Sequence, residues 1–444
     1  MPASVNSFVH ELGFADLPGE VVRQARTCLL DLLGVAAAGT TTRLSSIVRD
    51  HAVRHMAAGP EGPRARILFD GRAASPAGAA FAGAFTIDAF DAHDGHALTK
   101  GHAGVAILPA ALAMAGPDAE VAGSDLLADL VLGYELAIRA GMALHATACD
   151  YHTSGAWNAL ACAAIGARRL GLGTEATRHA LGIAEYHGPR SQMMRCIAHP
   201  TMVKDGSGWG AFAGVHAAFL AADGFTGAPA LLVEAAETAG IWSDLGARWR
   251  IAELYFKPHP VCRWAQPAIE AVLDLRRQHA VPAGAIEAIR VATFREAACL
   301  VARTPATTEE AQYSLPFPVA AAAARGAVGP AEIAAEAFSD AEILRLSRSL
   351  ELVEDEAFSA RFPAERWARV SLRLRDGTEL DSGPVTARGD PDSPLAAGEL
   401  KAKFHALAGP VLGDARARRL EALADGLAEG GALAPDLLFA PVNP

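Results

Sequence analysis

A chain of 444 residues, 51% hydrophobic and 20% charged, is long enough for a large domain plus a smaller one. Its 39 basic and 50 acidic residues leave a net charge of −11, which argues against nucleic acid or an anionic membrane as the main partner. The six cysteines, Cys28, Cys149, Cys162, Cys196, Cys262 and Cys299, form no CxxC and no metal-ligand spacing, and scattered single thiols suit a reducing compartment.

The opening MPASVNSFVHELGF has no basic stretch followed by an apolar run, so no secretory signal is expected. Apolar stretches such as Val105 to Ala115 are too short to span a membrane, and a cytoplasmic location is the expectation. Val21, Val22, Ala25, Leu29, Leu32 and Leu33 recur at three- and four-residue spacing behind Pro18, predicting the first helix. Further helices are predicted at roughly 75–90, 103–115, 155–170, 174–186 and 206–222. Leu126, Leu127, Leu130, Val131, Ile138 and Met142 form another stripe, with Ser124 as its expected N-cap. No fixed-period repeat is present, so the reading is a helix bundle.

The texture changes near Pro258. Ile286 to Phe294, Arg369 to Leu374 and Leu380 to Thr386 read as strands, the last two joined by the hairpin signal Asp376-Gly377. Ser339 to Glu342 reads as a capping box opening a helix, 388–394 as a linker, and the tail from about 396 as helical again. The expected fold is mainly α: a large all-α helical domain built from 1–257 and 391–444, interrupted by a smaller α+β unit at 258–390.

The densest polar cluster is Asp88, Asp91, His93, Asp94, His96, Lys100 and His102. Its carboxylates and imidazoles suit acid–base work or metal binding, and equally a solvated loop between helices. His152 precedes a small-residue helix, where a loop histidine is more often structural than catalytic. Lys204 stands at a Gly-rich helix entry, where free N–H groups also favour an anion, although the spacing is not that of a nucleotide P-loop. Lys257-Pro-His-Pro-Val-Cys262-Arg263 joins the two expected domains and serves either as a ligand site or as a rigid linker.

LPGEVVRQARTCLLDLLGVAAAG resembles the opening helix of the MmgE/PrpD family, and AFDAHDGHALTKGHAGVAILPAALAMA resembles its first active-site region. GSDLLADLVLGYELAIRAG, YHTSGAWNALACAA, MVKDGSGWGAFAGVHAAFLAADGFTGA, KPHPVCRWAQPAIEA and AQYSLPFPVA follow in the family's order, over about residues 15–410. The resemblance implies a helical domain with a smaller α+β lid, a homodimer, a site between the domains, and no metal or iron–sulfur cofactor. The family's activities include 2-methylcitrate dehydratase, cis-aconitate decarboxylase and iminodisuccinate epimerase.

Carried over by position, the resemblance makes Asp91, His102, His152 and Lys204 the catalytic set and matches Lys257 to the lysine at the domain junction; Lys257, Cys262 and Arg263 are expected toward the substrate. Ala103 follows His102 where many relatives have proline. Cys262 stands where the decarboxylase branch has a histidine, and Phe317 where it has a tyrosine, which disfavours decarboxylation. His102 and His152 are the expected acid–base pair, with Asp91 orienting one of them. The expected function is a cofactor-independent hydro-lyase acting on a hydroxylated di- or tricarboxylate such as 2-methylcitrate. An epimerase or isomerase, a decarboxylase, a non-catalytic carboxylate-binding protein and a metal hydrolase are the alternatives.

Overall fold

The computed structural model describes residues 3–116, 121–282 and 284–442. It is mainly helical, 59% helix and 9% strand, with a small four-stranded mixed sheet and two two-stranded pairings among the described residues. The helix Gly19–Gly39 buries the predicted stripe, and Pro76–Asp88 is buried at every residue, as an apolar core helix must be. Around them lie Gly104–Met114, Gly123–Thr147, Gly155–Arg169, Thr174–His187 and Ser207–Ala222, each within a few residues of its predicted span. The amphipathic helix Arg43–His55 was not anticipated. Thr42 caps it through a hydrogen bond from the Ser45 N–H.

Small residues let these helices touch backbone to backbone. A Cβ on Gly39 would lie 1.8 Å from the Thr86 carbonyl oxygen. Gly39→Ala is therefore expected to destabilise the protein by about 1–3 kcal/mol, read from urea denaturation. A midpoint equal to wild type would show that the two helices can part without cost.

The sheet runs in the order Glu351–Glu354, Ile286–Thr293, Trp367–Leu374, Glu379–Thr386. The first pair is parallel and the other two are antiparallel. The Asp376-Gly377 turn forms as expected, with Gly377 at φ +88° and Asp376 Oδ1 accepting from the Thr378 N–H. The helix Gln266–Gln278 packs on this sheet. Residues 388–394 are tied down: Arg388 pairs with Glu270 and Glu399, and the Phe256 N–H donates to the Gly389 carbonyl. Ala397–Leu412 packs back onto the helix Gly19–Gly39, where Phe404 lies under Gly34 and Lys403 Nζ reaches Asp31 at 2.6 Å.

Two expected caps are corrected. The Gly123–Thr147 helix is not capped by Ser124; its N-cap is Ala122, and the Gly123 N–H donates to the Gly431 carbonyl at 2.7 Å. Backbone from the far C-terminal segment takes the place of a side-chain cap. The helix Ala341–Ser349 is capped by Asp340, not Ser339: Asp340 Oδ1 accepts from the Glu342 and Ile343 N–H groups, while Glu342 turns to Arg345.

Candidate active site

The loop leaving Pro76–Asp88 carries Asp91 and His102 inward to meet Lys257. All three are buried. Lys257 Nζ bonds Asp91 Oδ1 and lies 3.4 Å from His102 Nε2, which is itself 3.7 Å from Asp91 Oδ1. His102 Nδ1 is 2.6 Å from the Asp94 carbonyl, which can only accept, so Nδ1 carries the proton and Nε2 presents its lone pair. Ser154 Oγ accepts from the His102 N–H and Asn158 Nδ2 donates to the His102 carbonyl, fixing the residue at both ends of its backbone.

Lys204 reaches the same neighbourhood from another loop. It has φ +51°, a left-handed conformation that costs a non-glycine residue energy and is held by its surroundings. Its Nζ donates to Gln312 Oε1 at 2.7 Å and stands 4.7 Å over the Tyr313 ring. Gln312 Oε1 also accepts from the Asp91 N–H, so one amide oxygen joins the two loops. Among the described residues Lys204 makes no ion pair, although it is 1% exposed. It lines a cavity of about 340 Å³ together with Thr153, Gln192, Arg195 and His199.

Burial sets the charges here. It would raise the Asp91 carboxyl, but the Lys257 ammonium, then His102 and Lys204, outweigh it and hold Asp91 well below the usual carboxylate range. Burial, reinforced by Lys257, pushes His102 well below the usual imidazole range, and it takes His93 down to about 3. Asp94 is pushed up to about 7 by burial. Burial also raises Asp88, with Lys204 opposing, and burial followed by Asp88 raises Asp205. Asp91 is thus the strongly ionised carboxylate facing two ammonium groups.

Four of the residues expected from sequence, Asp91, His102, Lys204 and Lys257, come together. His152 is half-buried outside this cluster; its ring Nδ1 pairs with the Asp150 carbonyl at 2.9 Å, and its backbone pairs with Gln192 on the cavity wall. Arg263 ion-pairs with Asp390, donates to the Ala387 and Arg388 carbonyls, and lies over the Tyr255 ring. Cys262 is buried and donates its N–H to the Gln312 carbonyl; burial pushes its thiol up to about 12, which disfavours the thiolate. Phe317 is core, packed against Phe338.

Within the polar run the paths diverge. His93 turns inward, its ring edge-on to His102 with centroids 4.5 Å apart, whereas His96 latches to Glu253. Sequence reasoning missed Ser154, Asn158, Gln312 and Tyr313. The last two lie in the segment AQYSLPFPVA, five and four residues before Phe317.

Ligand atoms of Asp91, His93 and His102 lie within 4.8 Å of one another, a spacing that a metal ion accepts. The Lys257 ammonium bonds Asp91 and faces His102 in the same space.

A helical scaffold that buries a lysine–aspartate–histidine cluster beside a cationic cavity defines the class of protein. The MmgE/PrpD N-terminal domain matches residues 4–244 and the MmgE/PrpD C-terminal domain matches 259–429, and the chain belongs to the MmgE/PrpD family. It is similar to the cis-aconitate decarboxylase-like protein oryM of Aspergillus oryzae (strain ATCC 42149 / RIB 40), 24% identical over 474 residues, covering 94% of this chain and 92% of that protein. No helix among the described residues is long and apolar enough to cross a membrane.

Proposed function

We propose that this protein is a metal-independent hydro-lyase that removes water from a small hydroxylated di- or tricarboxylate such as 2-methylcitrate. The observation that carries the reading is Lys204: a buried ammonium that makes no direct ion pair among the described residues, on the wall of a cavity sized for a small acid. A buried charge without a counter-ion is costly, and a substrate carboxylate supplies one. Lys257 and Lys204 stabilise the charge that develops on that carboxylate when the neighbouring carbon loses its proton. His102, neutral and presenting Nε2, is the base.

His152, beside Thr153 and paired with Gln192 on the cavity wall, is proposed to meet the substrate at the mouth. In this reading residues 258–390 form a lid, contributing Lys257's neighbours and Gln312, and the enzyme works as a cytoplasmic homodimer. A decarboxylase reading draws on the name of the Aspergillus relative. The buried, neutral Cys262 and the hydroxyl-free Phe317 weigh against it.

The test is NMR in D₂O on 2-methylcitrate, citrate, cis-aconitate, malate-like acids and substituted succinates, with and without chelator. Alkene formation that survives chelation is expected for one hydroxy acid. Activity abolished by chelator and restored by metal, or no reaction with any acid, would sink the proposal.

A further inference from the structure

Asp88 ends the helix Pro76–Asp88 and is 1% exposed, yet its Oδ2 has no hydrogen-bond partner. Its Oδ1 lies 3.6 Å from His93 Nε2, beyond hydrogen-bond range. His93 is 0% exposed, and neither of its ring nitrogens is partnered. Asp205 Oδ1, also buried, is unpartnered among the described residues as well, and Ser207 stands beside Asp88. Buried polar atoms are ordinarily hydrogen-bonded, so a group of exceptions in one place points to a polar ligand that completes them. His93 packs against His102, which puts these atoms beside the base.

Loss of water moves two protons, one off carbon and one onto the departing oxygen. His102 serves the first. The second needs a protonated group beside the first, and the expected acid–base pair does not bring one to this cluster, since His152 lies half-buried outside it.

We propose that Asp88, with His93 beside it, is the proton donor to the departing hydroxyl; this rests on the hydro-lyase reading. The C–H bond breaks with its proton passing to His102 Nε2, and its electron pair forms the carbon–carbon double bond. The C–O bond breaks with its pair on oxygen, and the Asp88 proton joins that oxygen to make water. Asp88 is left as a carboxylate attracted by Lys204 and Lys257, and His102 is left protonated beside Asp91. Before the step, burial, helped by the Asp91 carboxylate and opposed by Lys204, Ser207 and Lys257, raises Asp88 to about 6, so a fraction of it carries the proton at neutral pH and more does below it.

The experiment compares elimination with deuterium exchange at the acidic carbon of the substrate or its deoxy analogue, which has no hydroxyl to lose. D88N should keep exchange within about threefold of wild type while elimination falls about 10²-fold or more. H93Q, which keeps a polar side chain, should show the same split and carries the test if D88N does not fold. Elimination within tenfold of wild type in the folded variants, or equal loss of both reactions, overturns the assignment alone. Wild-type exchange without elimination on any acid overturns the hydro-lyase reading and this assignment with it.

Discussion

His102→Ala is expected to lower turnover by about 10²–10⁴-fold, the range for removal of a general base. The geometry leaves little room for a substitute. The ring is held in one tautomer by the Asp94 carbonyl, and its free nitrogen faces Lys257 and Asp91. Burial and the Lys257 ammonium keep it neutral through the physiological range, so it is ready to accept a proton without first losing one. The Ser154 and Asn158 bonds are to the backbone of residue 102 and survive the substitution, so the loss should appear in turnover with the helical circular dichroism retained. Turnover within tenfold of wild type would remove His102 from the base role.

Asp91→Asn is expected to cost about 3–5 kcal/mol of stability, measured by urea denaturation at neutral pH. Lys257 is 0% exposed and Asp91 2%, so removing the carboxylate strands an ammonium in the interior. The double variant D91N/K257M should be more stable than D91N alone, because it removes the stranded charge as well. A single variant within about 1 kcal/mol of wild type would show that the pair is not coupled as the geometry implies. The pH dependence has a definite sign. The folded Asp91 carboxyl is held below its unfolded value of about 3.9, so its contribution is fully present above that value and is lost as pH falls through the folded one. Wild type should therefore lose stability on acidification more steeply than D91N.

The helices and the hairpin were legible because they are local. A buried stripe repeats with the helical period, as at Val21 through Leu33, and Asp376-Gly377 needs only its own backbone to turn. The caps at 124 and 339 were misplaced because their N–H groups are satisfied by atoms the local pattern does not single out, Gly431 in one case and Asp340 in the other. The parallel edge strand Glu351–Glu354 was missed because an exposed, four-residue strand has too little alternation to announce itself.

Residue types and their order along the chain were enough to establish the mainly helical class and the family, and to single out Asp91, His102, Lys204 and Lys257, which the fold brings together. Packing alone distinguished the two inward histidines, His93 and His102, from the structural latch His96, and brought Gln312 and Tyr313 across to Lys204. The reason is physical. A polar run has the same composition whether it is solvated or buried, and only close approach of glycine- and alanine-lined helices turns one into a dry cluster whose charges shift and bind.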